Sequence, residues 1–342
     1  MTQALQITRH GGPEVLQWRD VPSPQLTPDG VRVEVSAAGV NFADIMMRMG
    51  LYPEAPKPPF IPGYEVSGKV IEIGAQVKHL KLGDRVFGGT RFGGYTSEIV
   101  LPADQLRLTP EGMSDIEAAA IPVNFLTAWV ALQEMARVRK GDRVVIQSAA
   151  GGVGVAAVQI AAQAGARVTG LVGSSKKFEL VKSLGAQEVL TYDEWDSQTD
   201  SAANGYQIIL DSMGGKSLKQ AMRRIAPGGR VVNFGVSNMV SGKKRSLTQI
   251  LSVFSKTLLI TPYALMMKNQ GIFGLNMLQL FEPPVPGQFN LMHHSLDQLM
   301  ERFKDRSFKV IVGKTFPMTE GGAAQTFLQS RSNVGKVVLT RS

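Results

Sequence analysis

A chain of 342 residues, 44% of them hydrophobic, is long enough to build two ordinary domains with cores of their own. It has no cysteine, which excludes disulfides, a thiolate nucleophile and every cysteine-ligated zinc site. The formal charge of +9 favours anionic partners in general (nucleic acid, an anionic membrane or an anionic cofactor) and selects none of them.

The opening residues, MTQALQITRHGG, lack a basic segment followed by an apolar core, and no apolar run approaches the roughly 20 residues that span a bilayer. A cytoplasmic protein is expected. Residues 3–9 and 15–19 read as paired strands around His10-Gly11-Gly12-Pro13, and the alternating VRVEV at 31–35 as another. Short strands punctuated by Gly and Pro continue at 69–74, 84–88 and 95–101, which groups this region as a compact, partly barrel-like β domain. Between them lies NFADIMMRMGLYPEAPKPPFIPG, residues 41–63. Its start has helical character, while prolines 53, 56, 58, 59 and 62 stop regular structure and favour a restrained loop. Such a loop can line a site or merely connect elements.

From Asp115 the pattern turns helical in two segments divided near Pro122. The stretch that follows, DRVVIQSAAGGVGVAAVQIAAQAGARVTGLVGS at 142–174, is the most informative in the chain. A buried strand at 144–146 leads into a turn containing Gly151, Gly152, Val153 and Gly154, then a helix to 164 and a second strand at 167–172. Glycines there let the backbone approach a pyrophosphate and aim amides at it from the helix N-terminus; Ala157 closes the fingerprint where a small residue still permits tight helix–strand packing. A purely structural turn is the competing reading.

Beyond it, KKFELVKSLGA reads as a helix, EVLTY as a strand, GYQIILDSMGG as a strand and turn, SLKQAMRRIAPGG as a helix and its stop, and RVVNFGV as a strand. This repetition predicts a doubly wound, mostly parallel α/β sheet. PPVPG at 283–287 interrupts a less regular region, a helix is predicted over 294–305, and FKVIVGKTFPM, GGAAQTFLQSR and GKVVLT end the chain as strand, helix and strand. The expected domains are 1–123, a nucleotide domain over 124–268, and a return to the first domain over 269–342.

The dinucleotide preference is read about 20 residues after the glycine turn, where an acid commonly holds the adenosine ribose of NAD. Here the strand ends in GLVGSSKKFE, so Ser174 and Lys177 offer a hydroxyl and a cation to a 2′-phosphate that an acid would repel. NADPH is therefore the expected cofactor.

The motifs NFADIMMRMGLY, PFIPGYEVSGKV, GDRVFG, AAGGVGVAAVQIA, SLGAQEVLTY and VGKVVL together resemble the zinc-independent quinone oxidoreductase branch of the medium-chain dehydrogenase/reductase superfamily, over nearly the whole chain. VNFLTAW, FGVSNMVSGKKRSLTQ and NQGIFGLNM resemble its vesicle amine transport protein-like subgroup. The resemblance implies a Rossmann domain inserted into a GroES-like catalytic domain, and a homodimer. It also implies cofactor contacts by Lys177, Tyr192 and Arg331, by Asn124 and Thr127 near the nicotinamide half or a phosphate, by Gly235 at a strand end, and by Phe273 and Leu275 facing nicotinamide.

Zinc-dependent members of the superfamily carry a His after the glycine where this chain has Tyr64; Glu65 alone is no metal cluster, and His10, His79, His293 and His294 lie outside the loop. No metal is expected. The loop matched to that family nominates Asn41 to donate to a substrate oxygen, Tyr52 to donate a hydrogen bond or proton, and Asp44 to orient the loop or a water. Reduction of a quinone or enone by NADPH fits these groups. An NADPH-binding interaction protein on an anionic membrane, through Lys243, Lys244 and Arg245, is the alternative, and nucleic-acid binding lacks a recognition motif.

Overall fold

The computed structural model describes residues 1–198, 205–239, 260–281 and 290–341. The basic 243–245 patch and the PPVPG segment lie outside them. The chain forms two compact units, Met1–Val123 with Leu278–Ser342, and Asn124–Met277.

In the first unit β1 (Thr2–Ile7) and β2 (Leu16–Val21) pair antiparallel. A mixed sheet holds β3 (Gly30–Val40), β4 (Glu65–Ile73), β5 (Arg85–Gly89), β6 (Glu98–Pro102) and β7 (Leu106–Leu108). It is completed by β14 (Val312–Pro317) and β15 (Lys336–Thr340) from the end of the chain, in the order β14-β15-β3-β4-β5-β7 with β6 also on β3. Alternation along β3 sends Val31, Val33 and Val35 into a core shared with Leu5, Val66, Val86 and Leu339. The expected 31–35 strand is thus the first half of a longer one, whose second half is buried on both faces. The prolines of the 41–63 stretch leave one short helix, α1 (Phe42–Arg48), and irregular chain after it. The helix α2 (Asp115–Ala118) carries a Ser114/Glu117 capping box.

Helix α3 (Pro122–Trp129) leads to the second unit. Its strands are β8 (Arg143–Ile146), β9 (Arg167–Val172), β10 (Glu188–Thr191), β11 (Tyr206–Asp211), β12 (Ile225–Asn233) and β13 (Gly271–Gly274). All pair parallel, in the order β10-β9-β8-β11-β12-β13. This is a doubly wound Rossmann sheet whose strand order reverses between β8 and β11, the switch point where such sheets bind ligands. The helix α4 (Gly152–Gln163) follows β8, and α5 (Phe178–Ser183) follows β9.

Two expectations need correction. EVLTY does not stay extended to its end: Thr191 and Glu194 form a capping box that starts α6 (Tyr192–Ser197), so Tyr192 opens a helix. The nucleotide domain does not end near residue 268, because residues 271–274 hydrogen-bond to Arg230–Asn233 as the sixth strand and belong to the second unit. The helix α7 (Lys216–Arg224) packs on β11 and β12.

Candidate active site

Two groups of candidate residues stand out, one in each unit. In the second unit, the turn after β8 is built from backbone. Gly151 caps α4, and its N–H donates to the Ser148 carbonyl at 2.8 Å. A Cβ on Gly154 would lie 2.1 Å from the Ser148 oxygen, so only glycine lets the helix begin this close to the strand. Ser148 is left-handed at φ 53°; its N–H donates to the Tyr192 hydroxyl at 2.9 Å and its Oγ lies 3.1 Å from Ser212 Oγ. Gln147 Nε2 donates to Ser217 Oγ at 2.6 Å, tying the turn to the start of α7.

Across the switch point, Asp211 at the end of β11 is fully buried. It accepts from Gly214 N at 3.1 Å and Asn233 Nδ2 at 2.7 Å, while burial pushes its carboxyl up from the ordinary range. Asp211, Gln147, Ser148 and Ser212 escape sequence reasoning because their roles depend on two strands 65 positions apart ending side by side. The only sequence signal for them is their place at the ends of apolar runs.

The other cofactor candidates are divided between the two units. Asn124 and Thr127 are buried on α3, and the Asn124 amide lies against the Gly152 α-carbon. Val153 is half-buried in the first turn of α4. Ser174 caps the short turn after β9, and Lys177 is half-buried there, its ammonium lowered by desolvation. Gly235 follows β12, Phe273 is exposed on the edge strand β13, and Leu275 just beyond it is buried. Arg331 is placed in the first unit, exposed and left-handed at φ 58° behind the Gly321–Gln329 helix.

In the first unit the site is made of side chains, and strand register assembles it. β15 pairs with β3 so that Val337 faces Val40 and Lys336 meets Asn41; β3 pairs with β4 so that Ala38 faces Val66 and Glu65 comes beside Gly39. A Cβ on Gly39 would strike Glu65 Oε1, so glycine there makes the room the carboxylate occupies. Asn41 Nδ2 donates to Glu65 Oε1 at 2.9 Å, Lys336 Nζ donates to Asn41 Oδ1 at 2.7 Å, and Lys336 pairs with Glu65 directly. Glu65 Oε2 also accepts the Val123 N–H at 2.7 Å, in the first turn of α3.

Asp44 is fully buried. It accepts from Asn41 N at 2.8 Å, Tyr95 Oη at 2.6 Å and Gly63 N at 3.2 Å. Burial outweighs these donors and pushes its pKa up to about 6. Tyr52 is half-buried with its ring 6.5 Å from that of Tyr64, and burial pushes its hydroxyl pKa up from the ordinary value. Tyr64 is buried against Met47, Phe60 and Phe92 and its hydroxyl donates to Met47 Sδ at 3.6 Å, so this position carries an apolar packing group. Sequence reasoning misses Lys336 and Tyr95, which read there as ordinary strand residues. Among the described residues no three His, Cys, Asp or Glu side chains are grouped to hold a metal ion.

An alcohol dehydrogenase GroES-like domain model matches residues 27–111, and a zinc-binding dehydrogenase model matches residues 152–283. The synaptic vesicle membrane protein VAT-1 homolog of Rattus norvegicus is 31% identical over 342 residues, covering 98% of this chain and 83% of that protein. The crystal structure of Escherichia coli quinone oxidoreductase complexed with NADPH superposes with a TM-score of 0.83 at 26% identity, covering 99% of both chains. That of the CurK enoyl reductase does so with a TM-score of 0.80 at 29% identity, covering 100% of this chain and 99% of that one.

Proposed function

The chain belongs to the zinc-independent quinone oxidoreductase and VAT-1-like branch of the medium-chain dehydrogenase/reductase superfamily, and from that premise we propose that it reduces small quinones or α,β-unsaturated carbonyls with NADPH. The observation that carries the reading is the glycine turn at the switch point of the Rossmann sheet, where the missing side chain of Gly154 lets α4 start against the Ser148 backbone. The N-terminal amides of α4 and the close backbone approach fit a pyrophosphate. Ser174 and Lys177, after β9, fit a 2′-phosphate. Asn124, Thr127, Tyr192, Gly235, Phe273, Leu275 and Arg331 are proposed to complete the cofactor site.

When bound, NADPH supplies a hydride equivalent to an electrophilic carbon. The chain's own residues then have to orient the acceptor, exclude water and stabilise charge appearing on oxygen. Asn41 is the proposed donor to that oxygen, and Tyr52 a hydrogen-bond or proton donor. Asp44, with its acceptor sites engaged by Asn41, Gly63 and Tyr95, positions the loop. The resemblance to E. coli quinone oxidoreductase supports a quinone, and that to an enoyl reductase supports an enone.

The helix Pro262–Lys268 leading into the edge strand β13 exposes Tyr263, Met266 and Met267, an apolar surface that supports a homodimer. Peripheral contact with an anionic membrane is a second reading. It is supported by the VAT-1 relative's name and by Lys216, Lys219 and Arg223 on α7; among the described residues no helix is long and apolar enough to cross a membrane.

NADPH oxidation across a panel of quinones and enones tests the reading. Turnover is expected, with Tyr52→Phe lowering kcat/KM about tenfold and leaving NADPH affinity unchanged. Tight NADPH binding without turnover, together with binding to anionic vesicles, would replace it with the membrane reading.

A further inference from the structure

Asn41 is only 8% exposed, and its two neighbours leave its amide no freedom. An ammonium can only donate and a carboxylate can only accept, so Lys336 must face Oδ1 and Glu65 must face Nδ2. The amide orientation is therefore dictated by two charged groups, themselves paired and buried. One Nδ2–H is spent on Glu65; the other has no acceptor among the described residues. Withdrawal of electron density by the ammonium on Oδ1 makes that remaining N–H a stronger donor, the cooperative effect expected in a buried chain of hydrogen bonds. Oδ1 already holds the Lys336 ammonium, so the second N–H is what this side chain offers to a ligand oxygen.

We propose that Lys336 and Glu65 are positioning residues that lock and polarise the Asn41 amide so that it presents a single N–H to a substrate oxygen gaining negative charge. This rests on the NADPH-dependent reductase reading. It specifies that the acceptor places an oxygen lone pair against the Asn41 amide. The residues come from the ends of three neighbouring strands, so the register of β15 on β3 and of β3 on β4 sets the donor geometry.

The experiment uses the full chain and four proteins: wild type, Asn41→Ala, the double variant Lys336→Met/Glu65→Gln, and the triple variant combining them. The double variant leaves no charge unpaired, so it folds where Lys336→Met alone is at risk. With a reducible quinone, the double substitution is expected to lower kcat at least tenfold when Asn41 is present and less than twofold when it is added to Asn41→Ala. Equal losses in the two backgrounds, or no loss in either, would overturn the proposal. A second readout does not depend on turnover. In 15N-asparagine-labelled protein, the side-chain amide signals of Asn41, assigned by their disappearance in Asn41→Ala, are expected to shift in the double variant. Unmoved signals overturn the positioning role even if no quinone is reduced. Moved signals in a chain that reduces nothing support the lock while the reductase reading falls.

Discussion

The glycine turn of the second unit and the polar cluster of the first are built on opposite plans. The turn is contiguous in sequence and works through backbone amides, so its residues lie within one short stretch from Ser148 to Gly154. The cluster draws on positions 41, 44, 65, 95 and 336: Asn41, Glu65 and Lys336 meet because three strands pair in one register, and Asp44 and Tyr95 join from α1 and from the chain before β6. A backbone site is protected by what cannot be added to it. A side-chain site depends on every partner being present, because removing one leaves a buried charge or donor without compensation.

The largest expected effect sharpens that contrast. Lys336→Met alone, which strands the Glu65 carboxylate in the core, is expected to cost about 3–5 kcal/mol of stability by chemical denaturation. The Lys336→Met/Glu65→Gln double variant should recover most of it. Equal losses in the single and double variants would mean that the pair is not what holds this region together.

Asp44 gives the next effect, and it depends on pH. Its folded pKa of about 6 lies above the ordinary 3.8, so the native state binds the proton more tightly than the unfolded chain. The stability this contributes is full below the ordinary value and lost as pH rises through about 6. Measured against Asp44→Asn, the wild type is expected to lose up to about 3 kcal/mol of relative stability between pH 4 and pH 7. A difference that is flat across this range would show that Asp44 does not titrate there.

In the turn, Gly154→Val places a side chain against the Ser148 carbonyl. It is expected to cost about 1–3 kcal/mol of stability and to weaken NADPH binding more than tenfold by fluorescence titration. Unchanged affinity would remove the turn from the cofactor site. Lys177→Ala is the mildest change: NADPH is expected to weaken about tenfold and NADH hardly at all, an effect of about 1–2 kcal/mol. Equal losses for the two cofactors would reassign Lys177 to general surface charge.

The same contrast explains what the sequence can reveal. The Rossmann half is legible because apolar runs alternate with helices and the glycine turn announces the first βα junction. The loop at 41–63 announces its helix start and its prolines, while Asn41, Asp44 and Tyr52 are nominated through the family resemblance of that loop. Lys336 is invisible: within GKVVLT it reads as the first residue of an ordinary strand, and its function depends on that strand lying beside β3. Tyr95 is hidden in the same way, its hydroxyl reaching Asp44 across 51 positions. Tyr192 reads as part of a strand because the capping box that overrides the extended run, Thr191 with Glu194, lies at its very end. The edge strand β13 escapes because four residues, Gly271–Gly274, carry too little periodicity to be read without their neighbour.

The central claim is best tested by titrating the purified, folded chain with NADPH and NADH in the presence of a strong metal chelator, then adding quinone. Saturable NADPH binding at least tenfold tighter than NADH is expected, with quinone-dependent NADPH oxidation that the chelator leaves unchanged. A folded chain that takes up neither cofactor, or whose turnover the chelator abolishes and zinc restores, would contradict it.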